Sequence, residues 1–173
     1  KVISTGQGGM ILTNDLELKN KIDDLLKYDQ REKYDVSYNY GFTDIQAALG
    51  ASQIDKLDFF IQRRNEIAKK YNETFEKLKI EIPSLILGSL PFRYVIGLKD
   101  SKEKIKFQEK FKEKGISTAE PVFKPLHQYF NLPNGDFPNT EKAQNTILSI
   151  PIYPSLTDGE VDYIAKNILE IAR

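Results

Sequence analysis

The chain has 173 residues, among them 25 basic and 25 acidic side chains, one histidine and no cysteine. The formal net charge of zero argues against a nucleic-acid-binding protein, which usually has a basic excess, and the interspersed charges form no polybasic patch for a membrane. Without cysteine there is no disulfide framework or thiolate metal site, and no apolar run approaches the roughly 20 residues that span a bilayer. We therefore expect a cytoplasmic protein of mixed α/β structure, with no metal and with neither nucleic acid nor membrane as a partner.

The first part of the chain predicts a strand, a helix and a long loop. Residues 9–13 are a short apolar run between glycines and an Asn-Asp pair, which is typical of a buried strand. Asn14 or Asp15 then provides an N-cap for a helix whose leucines and isoleucine share one face. Residues 27–40 are polar and aromatic without a clear period, so we predict a loop there.

Thr43 begins the strongest helical pattern. It is a good N-cap, and Gln46 stands three residues later, as in a capping box. Apolar residues then continue at helical spacing, so we predict a long helical region with a break or bend at Gly50 or within residues 54–58. Pro83 closes this region.

The remainder of the chain predicts alternating strands and helices. Ser101 is the expected N-cap of a helix that ends before Gly115. Thr157 and Glu160 form a second capping box. In order, we predict strand 92–98, helix 101–114, strand 116–119, an ordered loop over 120–136, helix 140–148, strand 149–153 and a last helix. This order is that of a small α/β domain.

These patterns divide the chain into two parts. Residues 80–173 contain enough strands and helices for a small α/β domain. Residues 1–79 contain one strand, one helix and a long connecting helix, and one strand cannot make a sheet. Because the chain also begins with Lys1 instead of Met, we expect residues 1–79 to be the remainder of a larger domain in a longer protein.

Four collinear segments of the sequence resemble one known family. They are KVISTGQGGMILTND at residues 1–15, YNYGFTDIQAALGASQIDKLDFFIQRR at 38–64, PVFKPLHQYF at 121–130 and FPNTEKAQNTILSIPIYPSLTDGEVDYI at 137–164. In this order they resemble the pyridoxal-phosphate (PLP) dependent nucleotide-sugar aminotransferases of the DegT/StrS family, beginning at the lysine that binds PLP. The resemblance extends over nearly the whole chain.

The resemblance implies the C-terminal portion of a fold-type I PLP-dependent transferase of the aspartate aminotransferase superfamily. Residues 1–79 would be the remainder of the large PLP-binding domain with its long connecting helix, and residues 80–173 the small C-terminal α/β domain. Such enzymes are usually homodimers with shared active sites at the subunit interface. They move an amino group from glutamate to the keto group of a nucleotide-linked sugar, in the biosynthesis of amino sugars and surface polysaccharides.

Lys1 is the catalytic residue that the resemblance implies, and also the attachment point of PLP. A terminal lysine taken alone is usually solvated, so only the resemblance gives Lys1 this role. The chemistry suits it, because a neutral ε-amine is a nucleophile toward an aldehyde cofactor. Once substrate displaces it, the amine stands beside the carbon to be deprotonated and suits a general base.

Further site residues follow from the same resemblance. Asn39 matches the family asparagine that reaches across the dimer to the PLP phosphate, although such a residue in a tyrosine-rich loop also serves to satisfy local backbone. Thr5, Gln7 and His127 are candidates for substrate contacts. A plain turn also explains the first two, and a structural role also explains a lone histidine. Gly41 departs from the family, which often has arginine or lysine there, so any contact of that side chain is missing.

Two other functions fit the same residues. Some members of this family class dehydrate sugars with PLP or its amine form, and those enzymes can have histidine in place of the lysine, so Lys1 favours the aminotransferase. The second alternative is a non-catalytic dimerising or regulatory fragment, because the upstream half, which supplies most of the cofactor pocket in the family, is not in this sequence. For the same reason we expect the isolated chain to be inactive.

Overall fold

The structure, a computed structural model, describes residues 1–76, 78, 80, 82 and 89–172. The chain divides into two compact units, Lys1–Leu57 and Asp58–Arg173. The sequence predicts a domain boundary between residues 79 and 80, and residue 79 lies outside the described residues. The division into domains 1–79 and 80–173 therefore stays a prediction.

Two helices lie wholly within the first unit, and its last residue, Leu57, begins the next helix. Helix α1 spans Leu16–Leu26, and Asp15 caps it as predicted, because the Asp15 carboxylate accepts a hydrogen bond from the amide of Leu18 at 3.0 Å. Helix α2 spans Asp44–Ile54. The predicted loop over residues 27–40 contains neither helix nor strand, which confirms that prediction.

The capping box predicted at the start of α2 is present. Thr43 Oγ1 accepts a hydrogen bond from the amide of Gln46 at 3.3 Å, and Gln46 Oε1 accepts one from the amide of Thr43 at 3.0 Å. A turn at residues 55 and 56 then separates α2 from helix α3, which spans Leu57–Phe75. The predicted bend within residues 54–58 is thereby confirmed.

Helix α3 supplies one wall of the core of the second unit. Ile67, Tyr71 and Phe75 follow one another at a spacing of four residues, so their side chains lie on one face, and each is at most 1% exposed. Pro83, the residue predicted to close this helical region, lies outside the described residues.

Two short strands pair in antiparallel fashion. Strand β1 spans Tyr94–Gly97, and strand β2 spans Ile147–Ile150. Backbone hydrogen bonds of 3.0 and 2.9 Å also join Ser149 to Ala119. This single bridge is all that forms in the predicted strand 116–119, so that prediction is wrong. Both β1 and β2 are also shorter than predicted, because each pairs only along the stretch that the other covers.

The predicted helices of the second unit are present in the predicted order, and a short additional helix, α5, lies within the predicted loop over residues 120–136. They are α4 at Ser101–Glu113, α5 at Leu126–Tyr129, α6 at Pro138–Thr146 and α7 at Asp158–Ile171, with a 3₁₀ turn at Asn134–Asp136. Helix α6 begins and ends earlier than the predicted helix 140–148, and β2 therefore begins at Ile147 instead of Ser149. Among the helices that the structure describes, none is long and apolar enough to cross a lipid bilayer.

Local chemistry sets the ends of these helices. Asp100, and not the predicted Ser101, caps α4, because the Asp100 carboxylate accepts a hydrogen bond from an amide of the first turn at 2.9 Å. Gly115 adopts a φ of 71°, the left-handed conformation that favours glycine after a helix, as predicted. The capping box of Thr157 with Glu160 is present as well.

Buried aromatic rings join α3 to the sheet. The ring of Tyr94 in β1 meets Tyr71 edge-on at 5.0 Å and stacks on Phe75 at 6.0 Å, measured between ring centroids. Burial raises the pKa of both tyrosines, and the Tyr71 hydroxyl donates a hydrogen bond to the carbonyl of Pro151 at 2.9 Å. Other fully buried side chains of this core are Ile96, Phe107, Phe111, Leu148 and Ile168.

A buried arginine fastens α3 to one end of the sheet, where Tyr94 of β1 pairs with Ile150 of β2. Arg64 is 6% exposed, and its Nη1 donates to the carbonyl of Phe92 at 3.1 Å and to that of Ile152 at 2.8 Å. Desolvation by burial lowers the pKa of this guanidinium group. Arg64 therefore joins the chain before β1 to the chain after β2.

The apolar run at residues 9–13, predicted as a buried strand with partners outside this sequence, forms no strand in the part of the chain that the structure describes. Met10 and Leu12 are 83% and 86% exposed. A strand needs a hydrogen-bonded neighbour, and in the part of the chain that the structure describes β1 and β2 pair only with each other and with Ala119.

Candidate active site

Short-range hydrogen bonds shape the loop that follows Lys1. The amide of Gly6 donates to the hydroxyl of Ser4 at 3.4 Å. The hydroxyl of Thr5 donates to the carbonyl of Gln7 at 2.7 Å. The predicted residues Thr5 and Gln7 therefore belong to one tight loop, which closely follows the exposed Lys1.

This loop lies against the N-terminal part of α2. The side-chain Nε2 of Gln46 donates to the carbonyl of Gln7 at 3.1 Å. Gly50, which lies one helical turn after Gln46, is buried, and a β-carbon at Gly50 would stand only 3.1 Å from Cγ2 of Thr5. The missing side chain thus allows the loop and the helix to approach closely. The sequence identified Gln46 only as a capping residue and missed its second contact.

Asn39 is exposed in the loop between α1 and α2. The rings of its neighbours Tyr38 and Tyr40 stack with centroids 5.2 Å apart, and the amide of Tyr38 donates to the carbonyl of Leu25 at 2.7 Å. The Asn39 side chain makes no hydrogen bond to the part of the chain that the structure describes. Satisfaction of local backbone therefore does not explain this asparagine.

His127 lies in the second unit and is 5% exposed. Its Nε2 is 2.8 Å from Oε1 of Glu141, and its ring stacks on Phe137 with 4.6 Å between centroids. One ring nitrogen and one ring face are therefore engaged within the protein. This environment favours a structural role, and the contact of His127 with substrate stays a prediction.

Glu141 is the centre of this cluster and was not predicted from the sequence. Its carboxylate also accepts hydrogen bonds from Gln128 Nε2 at 2.8 Å and from Asn134 Nδ2 at 3.2 Å. Glu141 lies in the first turn of α6, where the helix dipole favours a carboxylate. That position was the signal available in the sequence, but its three partners lie in α5 and in the 3₁₀ turn, and their approach to Glu141 depends on the fold.

A cavity of about 350 Å³ lies beside His127. Its lining is mainly apolar and includes Leu126, Phe137, Ala143 and Ile147. Phosphates and sugar hydroxyls require polar partners, so this lining does not match a nucleotide sugar. The cavity therefore adds no support for a substrate contact at His127.

A second ion pair, between Lys104 and Glu120, holds the start of the segment that leads to His127. Lys104 is 7% exposed, and its Nζ lies 2.6 Å from Oε2 of Glu120 and 2.7 Å from the carbonyl of Gln144. Gln108 Nε2 donates to the other carboxylate oxygen of Glu120 at 3.1 Å. Residues 120–141 are thus fastened to α4 at one end and to α6 at the other.

The predicted site residues fall in both units. Lys1, Thr5, Gln7 and Asn39 lie in the first unit, and His127 lies in the second. Residues 1–169 match the sequence profile of the DegT/DnrJ/EryC1/StrS aminotransferase family. The chain belongs to this family. The resemblance that four separate segments suggested is therefore confirmed across the chain.

Relatives with curated names or solved structures cover nearly the whole of this chain, and the chain spans about half of their own length. Protein MJ1066 of Methanocaldococcus jannaschii, which has no assigned function, is 34% identical over 99% of this chain and 51% of its own length. GDP-perosamine synthase of Escherichia coli O157:H7 is 30% identical, over 98% of this chain and 49% of its own length. The structure of Helicobacter pylori PseC, an aminotransferase involved in the biosynthesis of pseudoaminic acid, aligns with a TM-score of 0.84 at 26% identity, covering 99% of this chain and 50% of PseC.

The alignment with PseC also confirms the predicted fold class. The chain is an α/β structure that corresponds to about half of an aminotransferase of this family. The roles of individual side chains, including those of Lys1 and Asn39, stay predictions.

Replacing Glu141 with alanine should loosen the segment around His127. The change removes the acceptor of three hydrogen bonds and leaves a buried histidine without its partner, so we expect local unfolding to become easier by about 1–3 kcal/mol. Amide hydrogen exchange of residues 126–132 in the intact protein measures this effect. Glu109→Ala, at an exposed position of α4, is the matched control. Equal protection in the two variants would contradict the role of Glu141.

Proposed function

We propose that the protein containing this chain is a PLP-dependent aminotransferase that moves an amino group from glutamate to the keto group of a nucleotide-linked sugar. The observation that carries this proposal is Lys1 at the head of a loop that Gln7 and Gln46 anchor to the capped start of α2. This chain, which belongs to an aminotransferase family, therefore has an exposed primary amine next to a defined loop.

The side chains of the first unit fit the chemistry of PLP. Lys1 offers a primary amine to an aldehyde, and Asn39 offers an amide N–H to a phosphate oxygen. Within the described residues no other hydrogen bond competes for the Asn39 amide. When bound, PLP supplies an electron sink for the charge on a deprotonated carbon.

Lys1 has two tasks in this proposal. Its ε-amine would hold the cofactor, and the same amine, when free, would take a proton from a substrate carbon and return one. Thr5 and Gln7 are proposed substrate contacts because they belong to the same loop as Lys1. His127 stays in the proposal as a substrate contact, although its Nε2 and one ring face are already engaged.

A homodimer with shared active sites is part of the same proposal. Tyr40 and Phe42, which flank the Asn39 loop, are 73% and 52% exposed. Large apolar side chains grouped at a surface favour contact with further protein surface, and in this proposal the partner subunit provides it. We also propose that the enzyme acts in the cytoplasm, where its proposed substrates are soluble metabolites.

The names of two relatives support a sugar substrate. The Escherichia coli relative is a GDP-perosamine synthase, and PseC is an aminotransferase of pseudoaminic acid biosynthesis. The prefix of the first name supports a nucleotide-linked substrate. We therefore propose a role in the biosynthesis of an amino sugar for a surface polysaccharide.

The two alternatives make different predictions. A PLP-dependent sugar dehydratase would release water from its substrate and would need no amino donor, and lysine instead of histidine at position 1 disfavours it. A non-catalytic dimerising or regulatory fragment would fold without binding PLP, and the family match over residues 1–169 favours the enzyme.

Amino transfer by the intact protein should depend on Lys1. With PLP, glutamate and a nucleotide-linked keto-sugar, we expect formation of amino sugar and 2-oxoglutarate. The Lys1→Ala variant should lose more than about 100-fold in kcat, the lower end of what a positioned general base contributes. Mass spectrometry of the nucleotide sugar measures the product.

Lys33→Ala removes an exposed lysine of the loop between α1 and α2 and is the control for Lys1→Ala. It should retain full activity. Elimination of water without amination would support the dehydratase, and an equally active Lys1→Ala variant would contradict the proposal.

Asn39→Ala should weaken the binding of PLP. If the Asn39 amide donates to the phosphate, its loss should raise the Kd for PLP about tenfold, as expected for one hydrogen bond to a charged group. Titration of the apoenzyme with PLP, followed by absorbance, measures the change. Asn20→Ala, on the exposed surface of α1, is the matched control. An unchanged Kd in the Asn39→Ala variant would remove the role of this residue.

A further inference from the structure

We propose that Gln46 is a positioning residue for Lys1, because its side-chain amide joins the N-terminal cap of α2 to the loop that follows the lysine. The inference rests on the proposed function, since it assigns a role to Gln46 in placing the amine that binds PLP. Gln46 itself touches neither cofactor nor substrate in this account; it acts through Gln7.

One side chain performs two separate tasks. Gln46 Oε1 accepts hydrogen bonds from the amide and the hydroxyl of Thr43, each at 3.0 Å, and these bonds complete the cap of α2. Gln46 Nε2 donates to the carbonyl of Gln7 at 3.1 Å. The first task needs only an acceptor, whereas the second needs a donor. An amide provides both, and a carboxylate provides only the first.

A second capping box in the same chain shows that the cap alone does not require glutamine. At the start of α7, Glu160 Oε2 accepts from the amide and the hydroxyl of Thr157, each at 2.8 Å. Both boxes have the same reciprocal bonds, one with an amide and the other with a carboxylate. What distinguishes Gln46 is the donation to Gln7.

The carbonyl of Gln7 receives two hydrogen bonds, one from the hydroxyl of Thr5 at 2.7 Å and one from Gln46 at 3.1 Å. Its two lone pairs are therefore both used, which fixes the orientation of this peptide group. The bond from Thr5 is internal to the loop, and the bond from Gln46 ties the loop to a helix. The position of the helix end therefore determines the position of the loop.

Gly50 provides a second contact on the same face of α2. It follows Gln46 by four residues, so both positions face the loop. A β-carbon at Gly50 would meet Cγ2 of Thr5 at 3.1 Å, closer than ordinary packing allows. Hydrogen bonding at Gln46 and close packing at Gly50 thus hold Thr5 and Gln7 against α2, a few residues from Lys1.

Such anchoring matters because a general base must stand close to the proton that it removes. Displacement of a catalytic group by about 1 Å can lower the rate on the order of 100-fold. A loop held only by its own internal bonds would leave the position of Lys1 to local fluctuation. We infer that the Gln46 bond limits this movement.

Gln46→Glu in the intact protein separates the two tasks. Glutamate keeps the cap acceptor, but it cannot donate to Gln7, and it places a negative charge beside the carbonyl oxygen. We expect the amides of residues 47–54 in α2 to keep their protection. The amides of residues 4–9 should exchange several-fold faster in millisecond hydrogen exchange of the protein without cofactor. In the enzyme with PLP, kcat should fall about tenfold or more while the KM for glutamate changes little.

Ser52→Asp, which adds the same negative charge on an exposed side of α2 that faces away from Gln46, is the matched control and should alter neither quantity. Gly50→Ala tests the second contact without weakening the helix, because alanine favours a helix more than glycine does. It should displace Thr5 and lower kcat in the same way, and it replaces Gln46→Glu as the test if that variant does not fold.

The outcomes separate the inference from the proposed function. If wild-type protein does not bind PLP, the proposed function is wrong, and the positioning role of Gln46 is lost with it. If wild-type protein binds PLP but exchange of residues 4–9 is the same in the wild type and in Gln46→Glu, the inference alone is wrong. Faster exchange in the loop with an unchanged kcat also overturns it, since the bond would then be merely structural.

Discussion

In the first unit, the position of the loop that follows Lys1 depends on the N-terminal cap of α2. The first amides of a helix have no partners within the helix, so Thr43 and Gln46 must satisfy them from outside the regular hydrogen-bond pattern. Gln46 then uses its remaining amide to hold Gln7. The same side chain therefore completes the helix cap and holds the loop that follows Lys1. The position of the proposed site thus depends on the position of the helix end.

In the second unit, buried polar side chains likewise join separate segments of the chain through hydrogen bonds. Two polar clusters, Lys104 with Glu120 and His127 with Glu141, fasten the segment between α4 and α6 at both ends. Each cluster pairs its buried charge or ring with several hydrogen bonds, which offsets the cost of burial. His127 therefore has a clear structural explanation, whereas the exposed Asn39 has none within the described chain. This contrast strengthens the proposal for Asn39 more than that for His127.

Features that depend on neighbouring residues could be predicted from the sequence to within about one residue, as at the cap of α4, and features that depend on distant residues could not. The caps at Asp15, Thr43 and Thr157 are local, and all three are present. Residues 9–13 have the composition of a strand, but a strand exists only with a partner, and composition does not reveal one. The bond from Gln46 to Gln7 joins residues 39 positions apart, so helix chemistry indicated the cap and not this contact.

The most direct test of the account is to locate PLP on the intact protein. Incubation with PLP, reduction with borohydride and digestion should yield a phosphopyridoxyl group on the peptide that contains Lys1, close to one per subunit. The Lys1→Ala variant should remain unlabelled while it retains its fold. Labelling of a different lysine at this level, or no labelling of a folded protein that is saturated with PLP, would contradict the account.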